Sequence, residues 1–180
     1  MLTAARKIFL IGSRATGKSS VGRALAGLLG LPFLDMDQEI EQRAGRPISR
    51  LVSQEGWEGF RRREQELLIE LMEEPQPLVI ATGGGAVLFR DPWPRLKAEH
   101  LVVWLMADIA TIAARLSADP VTARQRPSLT GQTVEAEIAP VLAAREPLYR
   151  ESANCLVDAT APLATVVEEI AAAYHHTTAA

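Results

Sequence analysis

Gly12-Ser13-Arg14-Ala15-Thr16-Gly17-Lys18-Ser19 spaces its glycines, lysine and serine as G-x-x-x-x-G-K-[ST], the pattern of a loop that cradles phosphates. Backbone N–H groups of such a loop converge on one spot, at the positive end of the helix that follows. Gly12 to Ser20 are therefore the candidate nucleotide-binding residues. Lys18 would reach the β- and γ-phosphates, and the Ser19 hydroxyl would ligate Mg²⁺.

A metal-bound triphosphate needs a nearby acid. The apolar run Leu78–Thr82 ends in threonine, so the carboxylate often found there to assist Mg²⁺ is missing. Leu34-Asp35-Met36-Asp37 offers two carboxylates at i and i+2 just past another run. In an extended segment both would point the same way. Asp35 would serve Mg²⁺ through water, and Asp37 would hold an acceptor hydroxyl or take its proton. A helix beginning near Gln38, capped by the same segment, is compatible with that role.

Gly83-Gly84-Gly85 follows directly. Three bare residues there imply a sharp turn or a close approach, with N–H groups available to a substrate. Arg61-Arg62-Arg63 sit near a helix N-terminus, where the dipole disfavours cations. Arg61 would grip an acceptor carboxylate in two-point fashion, held by Glu64 one turn on; at least one of its neighbours must face solvent. Arg124 and Arg126 lie in a stretch rich in Pro, Ser, Thr and Gly, where arginines closing over a triphosphate would offset transition-state charge. Arg145, near the end of a helical stretch that starts around Thr133, is a second cation for an anionic acceptor.

The elements that position these residues are legible as well. Five short apolar runs recur: Ile8–Ile11, Pro32–Asp35, Leu78–Thr82, Leu101–Leu105 and Cys155–Asp158. Each reads as a strand covered on both faces. Helical patterns separate them, the first being Ser19–Leu29 with Val21, Leu25, Leu28 and Leu29 on one face. The expectation is an α/β domain spanning 1–180, with a mostly parallel sheet flanked by helices. Residues 37–74 form a helical insertion that binds the acceptor, and 117–131 a mobile lid.

The whole chain narrows the function further. A net charge of −3 over 180 residues argues against nucleic acid as the main partner. Cys155 is the one cysteine; a small buried hydrophobe in a reducing cytosol is the expectation. Met1–Lys7 is too short and mixed for a signal-peptide core, and no apolar run approaches a membrane span. The tail from His175 onward is expected to fray.

Taken together, the ordered set resembles the shikimate kinase family. The set comprises the P-loop at 12–19, Asp35 and Asp37, Phe60-Arg61 with Glu64, Gly83–Gly85, Arg126-Pro127 and Arg145-Glu146-Pro147-Leu148-Tyr149. Glu55-Gly56-Trp57 and the run from Arg126 to Gly131 resemble the subgroup typified by the second enterobacterial isoenzyme. The resemblance implies a P-loop kinase fold with a five-stranded parallel sheet. It also implies transfer of the γ-phosphoryl of MgATP to the 3-hydroxyl of shikimate, in the chorismate pathway that leads to aromatic amino acids. By the same resemblance, Asp37 holds the diol, Asp35 lies in the Mg²⁺ water shell, and Arg61 and Arg145 grip the carboxylate. Gly83 to Gly85 approach the ring, and Lys18 and Arg126 neutralise the moving phosphoryl. Arg115 flanks adenine, whose other side is covered around Ala161-Pro162. A cytoplasmic monomer is implied.

Ala15 stands where the family has glycine, and would strain the loop if that position requires a positive φ. Two other functions fit parts of the pattern. A small P-loop kinase for gluconate or another carboxylated polyol would share the loop and the sheet. A regulatory nucleotide-binding module would have no use for Asp37, Arg61, Arg126 and Arg145, yet all are present.

Overall fold

The apolar runs become a five-stranded sheet in the order β2-β3-β1-β4-β5, with every neighbouring pair parallel. The computed structural model describes residues 7–118, 128 and 133–178. Its strands are β1 (Ile8–Ile11), β2 (Phe33–Asp35), β3 (Val79–Ala81), β4 (Leu101–Met106) and β5 (Cys155–Asp158). The helices are α1 (Lys18–Leu29), α2 (Met36–Ala44), α3 (Ile48–Glu73), α4 (Trp93–Glu99), α5 (Ile109–Ala118), α6 (Val134–Ser152) and α7 (Leu163–Thr178), with a 3₁₀ turn at Ala86–Leu88.

Strand β1 is central and fully buried. Its residues alternate between the two faces of the sheet, as the pleat requires. Ile8 and Leu10 pack with Val21 and Leu25 of α1 and with Val166 and Ile170 of α7. Phe9 and Ile11 join the opposite layer, with Leu68 of α3, Leu96 of α4 and Tyr149 of α6. The core is thus two apolar layers on either side of one sheet, which is why its strands carry so few polar residues.

Strand order dictates where a ligand can sit. From β1 the chain crosses through α1 to β2 on one flank, whereas from β3 it crosses through α4 to β4 on the other. The connections leaving adjacent strands β1 and β3 therefore diverge, opening a crevice at their carboxyl ends. Gly12–Ser19 and Gly83–Gly85 are the loops on its two sides.

Several boundaries differ from the sequence-based ones for local reasons. Pro32 has no N–H, but its carbonyl still accepts from Val79 N at 3.0 Å, so the β2 ladder begins at Phe33. Helix α2 starts at Met36 rather than near Gln38, because Asp35 caps it, its Oδ1 accepting from Asp37 N at 3.0 Å and Gln38 N at 3.4 Å. Asp37 is consequently helical and not part of an extended pair with Asp35. Helix α3 is broken at Gly56, whose φ of 70° and ψ of 175° divide residues 48–55 from 57–73. Helix α7 continues through His175 and His176 to Thr178, so that part of the tail does not fray. Cys155 is half-buried against the α1/α7 layer. The candidate lid lies outside the described residues apart from Ser117, Ala118 and Ser128. Among the described residues, no helix is long and apolar enough to cross a membrane.

The α1–β2 contact yields a test of packing against propensity. A Cβ on Gly22 would stand 2.3 Å from the Phe33 ring, a clash that must shift that ring against α1. Gly22→Ala should therefore lose about 1–3 kcal/mol in urea unfolding, although helix propensity alone favours alanine by about 1 kcal/mol. A more stable variant would show that this contact yields freely.

Candidate active site

The loop after β1 folds back over the start of α1. Lys18 Nζ donates to the carbonyls of Gly12 at 2.9 Å and Ser13 at 2.7 Å, bracing the loop from within. Thr16 Oγ1 donates to Ser13 O at 3.0 Å. Gly17 caps α1 with φ 93°, a conformation glycine adopts without Cβ strain. Ala15 has φ 60° and is the single described non-glycine residue at positive φ. The condition for strain is met, at about 1 kcal/mol or more.

Beside this loop the Ser19 hydroxyl donates to Asp35 Oδ2. Asp35 thus performs two tasks, capping α2 with one oxygen and holding Ser19 with the other. Among the described residues, no group of three or more His, Cys, Asp or Glu side chains converges to hold a metal. The donors present are one hydroxyl and one carboxylate, both hard oxygens. They fit Mg²⁺, which takes one or two protein oxygens and fills its octahedron with phosphate and water.

A cavity of about 530 Å³ lies here, lined by Lys18, Ser19, Asp35, Asp37, Thr82 and Arg115. Asp35 and Asp37 therefore do share one cavity, brought there by a helix start rather than by strand alternation. Thr82 Oγ1 donates to Leu10 O at 3.0 Å and ties the end of β3 to β1. Arg115 spans two loops, donating to Ala15 O at 3.4 Å and Ala159 O at 2.6 Å. A further cavity of about 270 Å³, bounded by Gly17, Ser20, Arg115, Ala161 and Leu163, opens at that bridge.

Gly83–Gly85 form the opposite wall, and their bareness has a steric cause. A Cβ on Gly83 would lie 1.9 Å from Glu64 Oε1, and one on Gly85 2.2 Å from Arg61 Nη1. None of the three has a positive φ. What approaches this backbone is the protein itself. The Gly84 carbonyl accepts from Arg145 Nη1 at 3.1 Å and from the Tyr149 hydroxyl at 2.5 Å, and burial pushes that phenol up to about 12.

Arg61 is held on several sides. It pairs with Glu64, and its guanidinium lies 5.4 Å from the ring centres of both Trp57 and Phe60, a cation–π distance. Arg63 turns away to Glu55 and Arg62 is exposed, so of the three consecutive arginines Arg61 alone faces the crevice. Glu64 is fully buried, and burial pushes its carboxyl up while Arg61, Arg145 and Lys18 pull it down.

Arg61 and Arg145 line a narrow cavity of about 40 Å³ together with Trp57 and Glu137; Arg14 and Gly84 border both this cavity and the broad one over the loop. Ser13 lines the narrow cavity. The structure thus unites Arg14, Ala15, Gly17, Lys18, Ser19, Ser20, Asp35, Asp37, Arg61, Gly83, Gly84, Gly85, Arg115 and Arg145 around one crevice. Arg124 and Arg126 lie outside the described residues. Trp57, Tyr149 and Glu137 were not singled out as site residues from sequence. Trp57, four residues before Arg61 on one helix, was within reach of that reading; the other two depend on long-range packing.

Comparison with known proteins follows the geometry. Residues 14–175 match the family described as Shikimate kinase. Shikimate kinase 2 of Yersinia enterocolitica is 44% identical over 163 residues, covering 91% of this chain and 92% of that one. The shikimate kinase of Acinetobacter baumannii, solved in complex with shikimate, superposes with a TM-score of 0.86 at 34% identity, over 97% of this chain and 96% of that one. A gluconokinase from Sinorhizobium meliloti gives a TM-score of 0.63 at 21% identity, covering 97% and 94%, a likeness of fold alone.

The steric reading of Gly85 is testable. Gly85→Ala should push the guanidinium of Arg61 aside, at a cost in stability, followed by the melting temperature, because buried Glu64 loses its close partner. The KM for a carboxylated acceptor should rise about tenfold or more, by loss of a charge-assisted contact, with the KM for nucleotide little changed. Wild-type acceptor kinetics would show that Arg61 tolerates a methyl group there.

Proposed function

The chain belongs to the shikimate kinase family, and from that premise we propose that it phosphorylates the 3-hydroxyl of shikimate using MgATP, with Arg61 and Arg145 gripping the acceptor carboxylate. The supporting observation is the adjacency of two cavities. One is lined by phosphate-binding groups and carboxylates, the other by guanidiniums, and they meet at Arg14 and Gly84.

In this reading ATP lies along residues 12–20, with its base between Arg115 and the turn at 159–162. Ser19, with Asp35 through water, would hold Mg²⁺, which would neutralise charge on the phosphates. Shikimate enters with its carboxylate toward Arg61 and Arg145 and its hydroxyls toward Asp37. A six-membered ring needs more than 40 Å³, so acceptor entry moves some of the walls of the narrow cavity. Asp37 takes the hydroxyl proton as the oxygen attacks the γ-phosphorus, and the bond from that phosphorus to the β–γ bridging oxygen breaks with ADP as the leaving group. Lys18, and Arg126 from the lid, offset charge on the moving phosphoryl. Little covalent work is asked of the protein; alignment and electrostatics supply most of the rate. The acidic balance and lone cysteine suit a monomeric enzyme of the cytosol.

Two guanidiniums would also serve gluconate, but that reading has only a likeness of fold behind it. A coupled ADP-release assay over shikimate and gluconate decides between them: turnover of shikimate is expected, and gluconate turnover without shikimate turnover would overturn the reading. Arg61→Ala should weaken shikimate binding by about 2–5 kcal/mol, since a carboxylate loses its paired partner, while ATP binding stays near wild type. Unchanged shikimate affinity in calorimetry would remove Arg61 from the acceptor site.

A further inference from the structure

Ala15 keeps a left-handed backbone, with φ 60°, that no other described non-glycine residue adopts. Strain of this kind persists only where the surroundings over-determine it, and it gathers at ligand clamps and switch regions. Within the loop, nothing explains why alanine should stay in that conformation. The cause lies in what packs on it.

Helix α5 (Ile109–Ala118) carries Ile112, Arg115 and Leu116 at the i, i+3, i+4 spacing of one helix face. Ile112 and Leu116 are buried, and with Ile138 of α6 they form a small apolar cluster separate from the two layers of the sheet. The Ala15 side chain packs against that cluster. Arg115 donates to the Ala15 carbonyl at 3.4 Å, and its position is fixed by a second bond to Ala159 O at 2.6 Å. Methyl group and carbonyl of the strained residue are therefore both engaged by a single helix, 100 residues further along the chain. A glycine at 15 would reach the same φ without strain, but would offer the cluster no methyl group.

We infer that Ala15 is a positioning residue that makes the shape of the phosphate loop conditional on the docking of α5. With the helix face intact, packing offsets the strain and the loop keeps its curve. With the face eroded, alanine relaxes toward an ordinary negative φ, and only the fraction of molecules whose loop stays curved binds phosphate. Glycine removes the dependence, because it has no strained state to be held in.

The coupling rests on the reading of residues 12–20 as a phosphate loop, and the test keeps the two apart. Inorganic triphosphate with Mg²⁺ is the probe, since it carries neither base nor acceptor. Its affinity would be measured by calorimetry for the wild type, Ile112→Ala, Ala15→Gly and the double variant Ala15→Gly/Ile112→Ala. Ile112 does not line the broad cavity over the loop, so its truncation reaches the anion only through other residues. Ile112→Ala should weaken triphosphate binding about fivefold, the strain at Ala15 read as a population. In the Ala15→Gly background the same truncation should change the affinity less than twofold. No loss on truncation in the wild type, or a loss in the glycine background as large as in the wild type, would overturn the coupling. If Ile112→Ala fails to fold, Arg115→Met carries the same cycle, because its lost charge weakens anion binding equally in both backgrounds and cancels. Melting temperatures control for partial unfolding. A wild type that does not bind triphosphate would sink the phosphate-loop reading, whereas a wild type that binds while the cycle shows no difference sinks the coupling alone.

Discussion

The ion pair of Arg61 and Glu64, laid against bare backbone at Gly83–Gly85, is the constraint on which the site depends. Glu64 has no solvent exposure, and a carboxylate in that position is tolerated only with a cation beside it. Any side chain at Gly83 or Gly85 would occupy the space these two groups fill. The glycines thus admit charge into the interior, and the charge in turn orients Arg61 toward the crevice. Trp57 and Phe60 complete the enclosure from the same helix.

From that pair the remaining geometry is reached by short links. Gly84, between the two space-making glycines, turns its carbonyl to Arg145 and Tyr149, so α6 is fastened to the end of β3. The loop after β1 faces the same glycine: a Cβ on Gly84 would be 3.5 Å from Arg14 N and from Gly12 O. Asp35 joins α2 to α1 through its contact with Ser19. The loop after β1, helices α2, α3 and α6, and the triple glycine thus meet at the carboxyl edge of the sheet. This suits a reaction in which alignment is most of the work.

Much of this was legible because it is local. Strands β1 and β5 have the bounds their apolar runs suggest, but only β1 is buried on both faces; β5, at the edge of the sheet, leaves Leu156 and Asp158 exposed, against the expectation that every strand is covered. The loop, the helix at Lys18 and the Thr133 cap of α6, whose hydroxyl accepts from Ala136 N at 3.3 Å, follow from short-range chemistry. Asp35 and Asp37 were placed correctly in the crevice but for a wrong reason: a capping interaction starts α2 two residues early and replaces strand alternation with a helical turn. The triple glycine signalled a close approach, yet nothing in its neighbours reveals that Glu64 and Arg61, about twenty residues earlier, make it. Tyr149 stands in the quoted motif, but its bond to the Gly84 carbonyl is a contact across the fold that the sequence does not reveal.

The central claim is that these guanidiniums form the seat of the acceptor's carboxylate, next to the phosphate loop. A crystal structure of the protein with ADP and shikimate bound tests it most directly. The account predicts the shikimate carboxylate within hydrogen-bond distance of both Arg61 and Arg145, with ring hydroxyls toward Asp37 and the ADP phosphates at Lys18. A carboxylate seated away from both arginines, or a ring turned so that its hydroxyls meet them instead, would contradict it.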